Sequence, residues 1–447
     1  MGPELKAILI FFTLVLFLIC GFPVAFALMA VSLIWFLILH GGPILKLVPA
    51  TIFDTGTTEI FIAAPLFIFM AVGLERAGIG ALLYDAIHKW TAGISGGLAV
   101  GTVIAASIIA AMTGIGGTAV LVLGVLAVPE MLRRGYNTSL AIGGLPPGGA
   151  LGVLIPPTVI GVLLGGFAGI PVGYLFFGAA VPGVLIAGLF CIYILIRCAL
   201  TPSLAPPVPK DQRPTFLEKL EATRHVFFPF ALIVIVLGSI WDGIATPSEA
   251  AGIGALGTLI IAAIRGQLRL ATLRQILSDS AQVSVMVLTL LVGGALFSKL
   301  LQLSGTASML AGMIAGIDVG ITGTLLIFIA VVTILGMFID GAAIIFIVTP
   351  IMMPVVKTLG IDPVWFGVMM MISIAAGYVT PPFGMNLFYL RGILDQVKGY
   401  EGCGALRQVT IQNIWGACLP YVLIMYLALA MVLFFPGLAT WLPTQMN

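Results

Sequence analysis

Asp340 is the only charged residue between Val319 and Val356, and it sits in LGMFIDGAAI, an apolar stretch interrupted by a glycine. A carboxylate at membrane depth is expensive to keep, so its position marks a functional group unless the loop reaches the surface. The other chemistry-bearing residues fall at breaks of the same kind. Met112 to Thr118 runs Met-Thr-Gly-Ile-Gly-Gly-Thr, and Pro-Pro pairs interrupt Ile155 to Thr158 and Thr380 to Gly384. Unpaired backbone in hydrocarbon is costly, so such breaks persist only where they line a cavity or bind something. Half-helix N-termini there favour an anion, and unwound carbonyls coordinate Na⁺.

Other chemistries lack their residues. His40, His88 and His225 are scattered, and the five cysteines show no CxxC spacing. Cys191 and Cys198 share one helical face at the end of an apolar run and need no role beyond buried small hydrophobes. No metal or haem cofactor is expected. A membrane-embedded enzyme would need Ser with His, paired Asp or an HExxH site at membrane depth, and no such arrangement is evident. A net charge of +2 gives no argument for nucleic acid.

The elements that must hold these breaks are membrane helices. Of 447 residues, 61% are hydrophobic and 8% charged, whereas soluble chains carry about a quarter charged residues. Charge-free stretches run from Ala7 to Leu45, Trp90 to Pro129, Gly135 to Ile196 and Gln408 to Asn447. Each suffices for a crossing, which takes ~20 apolar residues. No alternation of a β-barrel kind appears, so the chain is expected to be an all-α polytopic membrane protein. The N-terminal run continues past Cys20 without an obvious cleavage site and is expected to stay as a first transmembrane helix.

The one sizeable polar excursion, 197–225, carries Arg197, Lys210, Arg213, Lys219 and Arg224 and is placed in the cytoplasm by the positive-inside rule. A basic stretch at 265–279 is expected to form a surface helix at the interface. The six tryptophans fit interface anchors, and Glu75 and Arg76 fit solvated charges at a membrane edge.

An internal repeat organises the breaks. At an offset of 225 residues, Pro129 falls on Pro354, Pro156 on Pro381 and Pro157 on Pro382, with Gly116 on Gly341, Gly135 on Gly360 and Gly152 on Gly377. With only 27 prolines in the chain, three coincidences at one offset outweigh any number of apolar matches. Each copy runs from a Gly-rich break through an apolar helix, a short turn and a second helix to a Pro-Pro break. A break halfway along a spanning segment lets the chain turn near the midplane and return as a re-entrant hairpin. The first hairpin ends at Arg133 and Arg134 and the second near Lys357 and Asp362, a charge difference in the direction expected of inverted repeats.

The segments LIPPT (154–158), TPIMMP (349–354), GIDPVWFG (360–367) and TPPFGMNLF (380–388) resemble the large membrane subunit of tripartite ATP-independent periplasmic (TRAP) transporters, the DctM family. GFPVAFAL (21–28), APLFIFMAVGLERAGI (64–79) and LGMFID (335–340) fit it as well, and the resemblance covers nearly the whole chain. It implies an elevator-type fold with two hairpins and two broken helices. Scaffold helices would occupy 1–90, a first transport-domain repeat 91–170, and scaffold with the 197–225 loop 171–315. A second repeat would occupy 316–395 and a C-terminal scaffold helix 396–447. It further implies Na⁺-driven import of small organic acids of the C4-dicarboxylate or sialic-acid kind, in a bacterial inner membrane. The implied partners are a periplasmic substrate-binding protein and a small four-helix membrane subunit, expected as a separate chain. A self-contained Na⁺/di- or tricarboxylate symporter of similar architecture is the alternative.

Under this resemblance Thr113, Gly114, Gly116 and Thr118 would form a sodium site with Pro156 and Pro157 at the first break; close helix packing is the alternative. The tip departs from the family's Ser/Thr-rich pattern, so backbone carbonyls would supply more of the coordination. Asp340 and Gly341 would pair with Thr380, Pro381 and Gly384 in a second sodium site. Thr158 and Asn386 would meet a substrate carboxylate, or else cap helices and bond between them. Arg391 would add positive charge, or snorkel to the interface. Tyr378 would line the cavity or merely pack.

Overall fold

The structure, a computed structural model, describes residues 2–113, 116–209, 213–316 and 319–446. Among the described residues it is helical, with no strand. Helices α1 (Pro3–Ile19), α2 (Val24–His40), α3 (Leu47–Thr57), α4 (Ala63–Arg76) and α5 (Ile79–Thr91) precede the first hairpin, α6 (Gly97–Thr113) and α7 (Gly116–Arg133). Short helices α8 (Thr138–Gly143) and α9 (Leu145–Ala150) lead to the first Pro-Pro break, and α10 (Val159–Ala168) follows it. Then come α11 (Val172–Leu200), α12 (Phe216–Trp241), α13 (Pro247–Ile264), α14 (Leu270–Leu303) and α15 (Thr306–Gly316). The second hairpin is α16 (Gly320–Phe338) and α17 (Gly341–Thr358). The second broken helix is α18 (Pro363–Gly377) and α19 (Met385–Val397), and α20 (Ile411–Phe434) and α21 (Gly437–Thr440) close the chain.

Eight described helices are long and apolar enough to cross a membrane. A ninth span results if the segment bent by 62° between Gly42–Thr57 and Glu59–Arg76 counts as one. The chain is a multi-pass membrane protein. Its outer face is apolar, with Phe12, Ile19, Leu256 and Leu423 exposed, as a lipid-facing surface requires.

The 225-residue offset reappears in the helix limits. Both α7 and α17 span 18 residues whose first and last positions differ by that offset. Left-handed glycines follow each, Gly135 at φ 77° and Gly360 at φ 64°, where a β-carbon would be strained. Asn137 then caps α8 by accepting from the Ser139 amide, and Asp362 caps α18 by accepting from the Trp365 amide. In each half the first hairpin arm packs on the broken helix through glycine. A Cβ on Gly152 would lie 2.6 Å from the Ala110 carbonyl oxygen, and one on Gly377 2.8 Å from the Gly336 Cα.

Helix α11 runs from the head of α18 to the start of the first hairpin. Near its start, a Cβ on Gly178 would lie 2.7 Å from the Ala439 carbonyl and 3.2 Å from Val364 at the head of α18. At its far end, Cys198 lies against Gly96, the residue before α6.

Three sequence expectations need correction. The segment 197–225 is not one loop: α11 continues to Leu200, and α12 starts at Phe216 behind a Thr215–Glu218 capping box, so only 201–215 connects them. The stretch 265–279 is no separate surface helix, because Leu270 onward belongs to the 34-residue α14. Arg76 is not simply solvated either; it pairs with Asp279 and ties α4 to α14.

Candidate functional site

A cavity of about 640 Å³, including its mouth, lies where both hairpin tips and both helix breaks converge. Gly116 and Gly117 line it from the first tip, Asp340 and Ala342 from the second. Val153 and Val159 flank the first break; Tyr378, Met385 and Asn386 flank the second. Opposite stands an apolar wall from other helices, Ile68 of α4 with Val283, Met286 and Val287 of α14.

Sequence chemistry explains why these groups arrive together. Helices α7, α10, α17 and α19 all begin at the cavity, so four positive dipole ends face it. Gly116 has no Cβ because Gly149 stands there: a Cβ would sit 2.8 Å from its carbonyl oxygen. Gly117 is similarly closed in by the Tyr389 ring. Gly384, at φ 39°, brings its own α-carbon against two carbonyls of the break; a Cβ would lie 2.9 Å from the Tyr378 oxygen and 3.1 Å from that of Thr380.

Among the described residues Asp340 is the one charged residue lining the cavity, and it is solvent-accessible. Its Oδ1 accepts from the Ala342 amide at 2.9 Å, capping α17. Tyr378 donates its hydroxyl to Oδ2 at 3.2 Å and accepts from the Gly341 amide at 2.8 Å. The second tip is thus clasped to the second break through one phenol. Asn386, 1% exposed, donates from Nδ2 to the Pro146 carbonyl at 3.0 Å. It therefore both lines the cavity and ties the second broken helix to the first.

The remaining expected site residues divide. Thr158 is fully buried and caps α10, accepting from the Gly161 amide at 3.1 Å. Pro156 and Pro157 are buried in the first break, and Pro381 is half-buried in the second. Gly341 packs under Tyr378, and Thr118 is half-buried in the first turn of α7. Thr113 ends α6, while Gly114 lies outside the described residues. Thr380 faces elsewhere: its hydroxyl donates to the Ala376 carbonyl and meets the Tyr426 hydroxyl of α20 at 3.0 Å. Arg391 does not line the cavity; it donates to the Val409 carbonyl and lies 3.6 Å from Asp395. Sequence reasoning missed Tyr389 and the α4–α14 wall.

Residues 11–438 match the family described as "Tripartite ATP-independent periplasmic transporter, DctM component". The chain belongs to the DctM family. It is a transporter permease component and not an enzyme. It is 28% identical over 98% of its length to the C4-dicarboxylate TRAP transporter large permease protein DctM of Vibrio cholerae, covering 97% of that protein. It is 31% identical to the isethionate TRAP transporter permease protein DctMQ of Oleidesulfovibrio alaskensis over 85% of its length, covering 59% of that longer protein. Among solved structures it shares its fold with the YdaH transporter of Alcanivorax borkumensis, at a TM-score of 0.66 and 13% identity, with both chains covered completely.

Proposed function

We propose that this DctM protein is the Na⁺-coupled large permease of a binding-protein-dependent importer of small organic anions in the bacterial inner membrane. The observation that carries the reading is the convergence of two hairpin tips, two helix breaks and one carboxylate on a single cavity. Four helix N-termini supply anion affinity there without a lining Lys or Arg. Relatives named for a C4-dicarboxylate and for isethionate support carboxylate- or sulfonate-bearing substrates; sialic-acid-like compounds belong to the same chemistry.

Two Na⁺ sites fit the breaks. One would use Thr113, Gly114, Gly116 and Thr118 with the backbone around Pro156 and Pro157. The other would use Asp340 and Gly341 with the carbonyls that converge at Gly384, near Thr380 and Pro381. Opposite insertion of the repeats is supported by the charge difference between the turn after α7, at Arg133 and Arg134, and the turn after α17, near Lys357 and Asp362. An elevator movement, in which both hairpins and both broken helices slide past the α4–α14 wall, is supported by that wall's apolar, unpaired surface at the cavity. A small membrane subunit and a periplasmic substrate-binding protein complete the assembly, and the relative named DctMQ is longer than this chain, as a joined second component requires.

The test is uptake by proteoliposomes holding this chain and its small membrane partner. A panel of organic acids is offered with and without the cognate binding protein, under Na⁺ and then K⁺ gradients. Uptake that needs both Na⁺ and the binding protein is expected. Na⁺-driven uptake without a binding protein would move the chain to the self-contained symporters.

A further inference from the structure

A second cavity, about 960 Å³ including its mouth, opens between α12 and α13 and is lined by Arg224, His225, Phe228, Pro229, Ile264 and Arg265, with Ile261 beneath. The two helices run antiparallel and pack closely further along, where a Cβ on Gly257 would lie 2.3 Å from Leu232. The cavity sits beyond that contact. Pro229 has no amide hydrogen to give the His225 carbonyl, which leaves an acceptor free at the same level.

The charges here have no counterparts. Arg265 Nε is shut off from solvent and has no hydrogen-bond partner. Leaving a buried guanidinium N–H unmatched is costly, so the site is built for an acceptor it does not supply. Among the described residues, neither Arg224 nor Arg265 forms an ion pair. The nearby carboxylates do not fill the gap. Glu218 is held by its own Thr215 cap, Glu221 makes no ion pair, and Asp242 and Glu249 stand at the opposite ends of α12 and α13. Below the two arginines the surface turns lipid-like, with Phe228 49% and Ile264 64% exposed. An interfacial belt continues alongside, where the Lys219 ammonium lies 5.6 Å from the Trp90 ring centroid.

We propose that this groove binds the phosphate headgroup of an anionic phospholipid, with Arg224 and Arg265 on the phosphate and the acyl chains along Phe228 and Ile264. Basic pockets between membrane helices on the cytoplasmic side suit this chemistry. Arginine forks suit phosphate oxygens better than a lysine point charge does.

Native mass spectrometry of the purified full chain, with phosphatidylglycerol or phosphatidylcholine added, tests this. One phosphatidylglycerol retained in preference to phosphatidylcholine is expected. In an Arg224→Gln/Arg265→Gln variant that retention should weaken about 30-fold, taking each arginine as worth about fivefold at an anionic surface. An Arg407→Gln control, on a separate surface segment, should leave it unchanged. Thermal unfolding shows that the double variant is folded, and Arg224→Lys/Arg265→Lys should recover part of the affinity. Equal retention of both lipids, or unchanged retention by the double variant, would overturn the proposal. Inorganic phosphate displacing the lipid at low millimolar concentration would instead assign a free-phosphate site. Retention lost once the small membrane subunit is bound would give the groove to that subunit.

Discussion

Replacing Tyr378 by Phe removes one oxygen and leaves the ring's packing intact, so its effect isolates the clasp between the second hairpin tip and the second break. Two hydrogen bonds disappear. The Gly341 amide is buried and would lose its acceptor, at about 1–3 kcal/mol. The bond to Asp340 is charge-assisted but solvent-accessible, so its loss falls near the low end, about 1 kcal/mol. Together they make about 2–4 kcal/mol, which caps the shift in tip closure at roughly 30- to 900-fold. If the closed tip holds Na⁺ through Asp340, Tyr378→Phe raises the Na⁺ concentration for half-maximal uptake by at least about tenfold, while the protein inserts normally. The assay is uptake across a Na⁺ titration, run as a cycle with Asp340→Asn. Coupling through one clasp makes the double variant little worse than the poorer single variant. A half-maximal Na⁺ concentration within about twofold of wild type, or additive effects in the cycle, would refute the reasoning.

Asp340→Asn alone should weaken Na⁺ dependence by about tenfold or more, since a carboxyl ligand is exchanged for a neutral amide; unchanged kinetics over the titration would remove Asp340 from the site. Gly341→Leu should abolish transport without blocking insertion, because its Cβ would lie 2.7 Å from the Tyr378 hydroxyl and 2.8 Å from Ile374; normal uptake would count against the tip assignment. Arg391→Gln should change the substrate KM by less than about twofold, given that its guanidinium is engaged by the Val409 carbonyl; a large KM increase would return it to the substrate site. Gly152→Ala and Gly377→Ala should each destabilise the protein by about 1–3 kcal/mol through backbone collisions, read as a fall in thermal unfolding temperature.

The breaks were legible because glycine and proline have few uses inside an apolar run. Their repetition at one offset located α7 and α17 closely, along with the glycine turns and both Pro-Pro breaks. The cavity's other side was not legible. Ile68, Val283 and Met286 are ordinary apolar residues on apolar helices, and only tertiary packing singles them out. Helix phase would have sorted the residues of α19. Tyr389 follows Asn386 by three positions and shares its face, whereas Arg391 follows by five and points about 140° away. The 197–225 segment misled for a similar reason: Glu218, Lys219, Glu221 and Arg224 look like loop chemistry but lie on one capped helix.

Charge at the cavity bears on the coupling ion. A dicarboxylate of the proposed kind, counted with the Asp340 carboxyl group, would bring the local formal charge to about −3, and each helix N-terminus offsets roughly half a charge. Four termini supply about +2, and the α17 terminus is already taken up by the Asp340 carboxylate that caps it. With no lysine or arginine lining the cavity, at least one positive charge is still missing when the substrate is bound. In a site walled by valine, isoleucine and methionine, that deficit is screened poorly and is severe. A cation that enters with the substrate would remove that deficit, which is the part the proposed function gives to Na⁺.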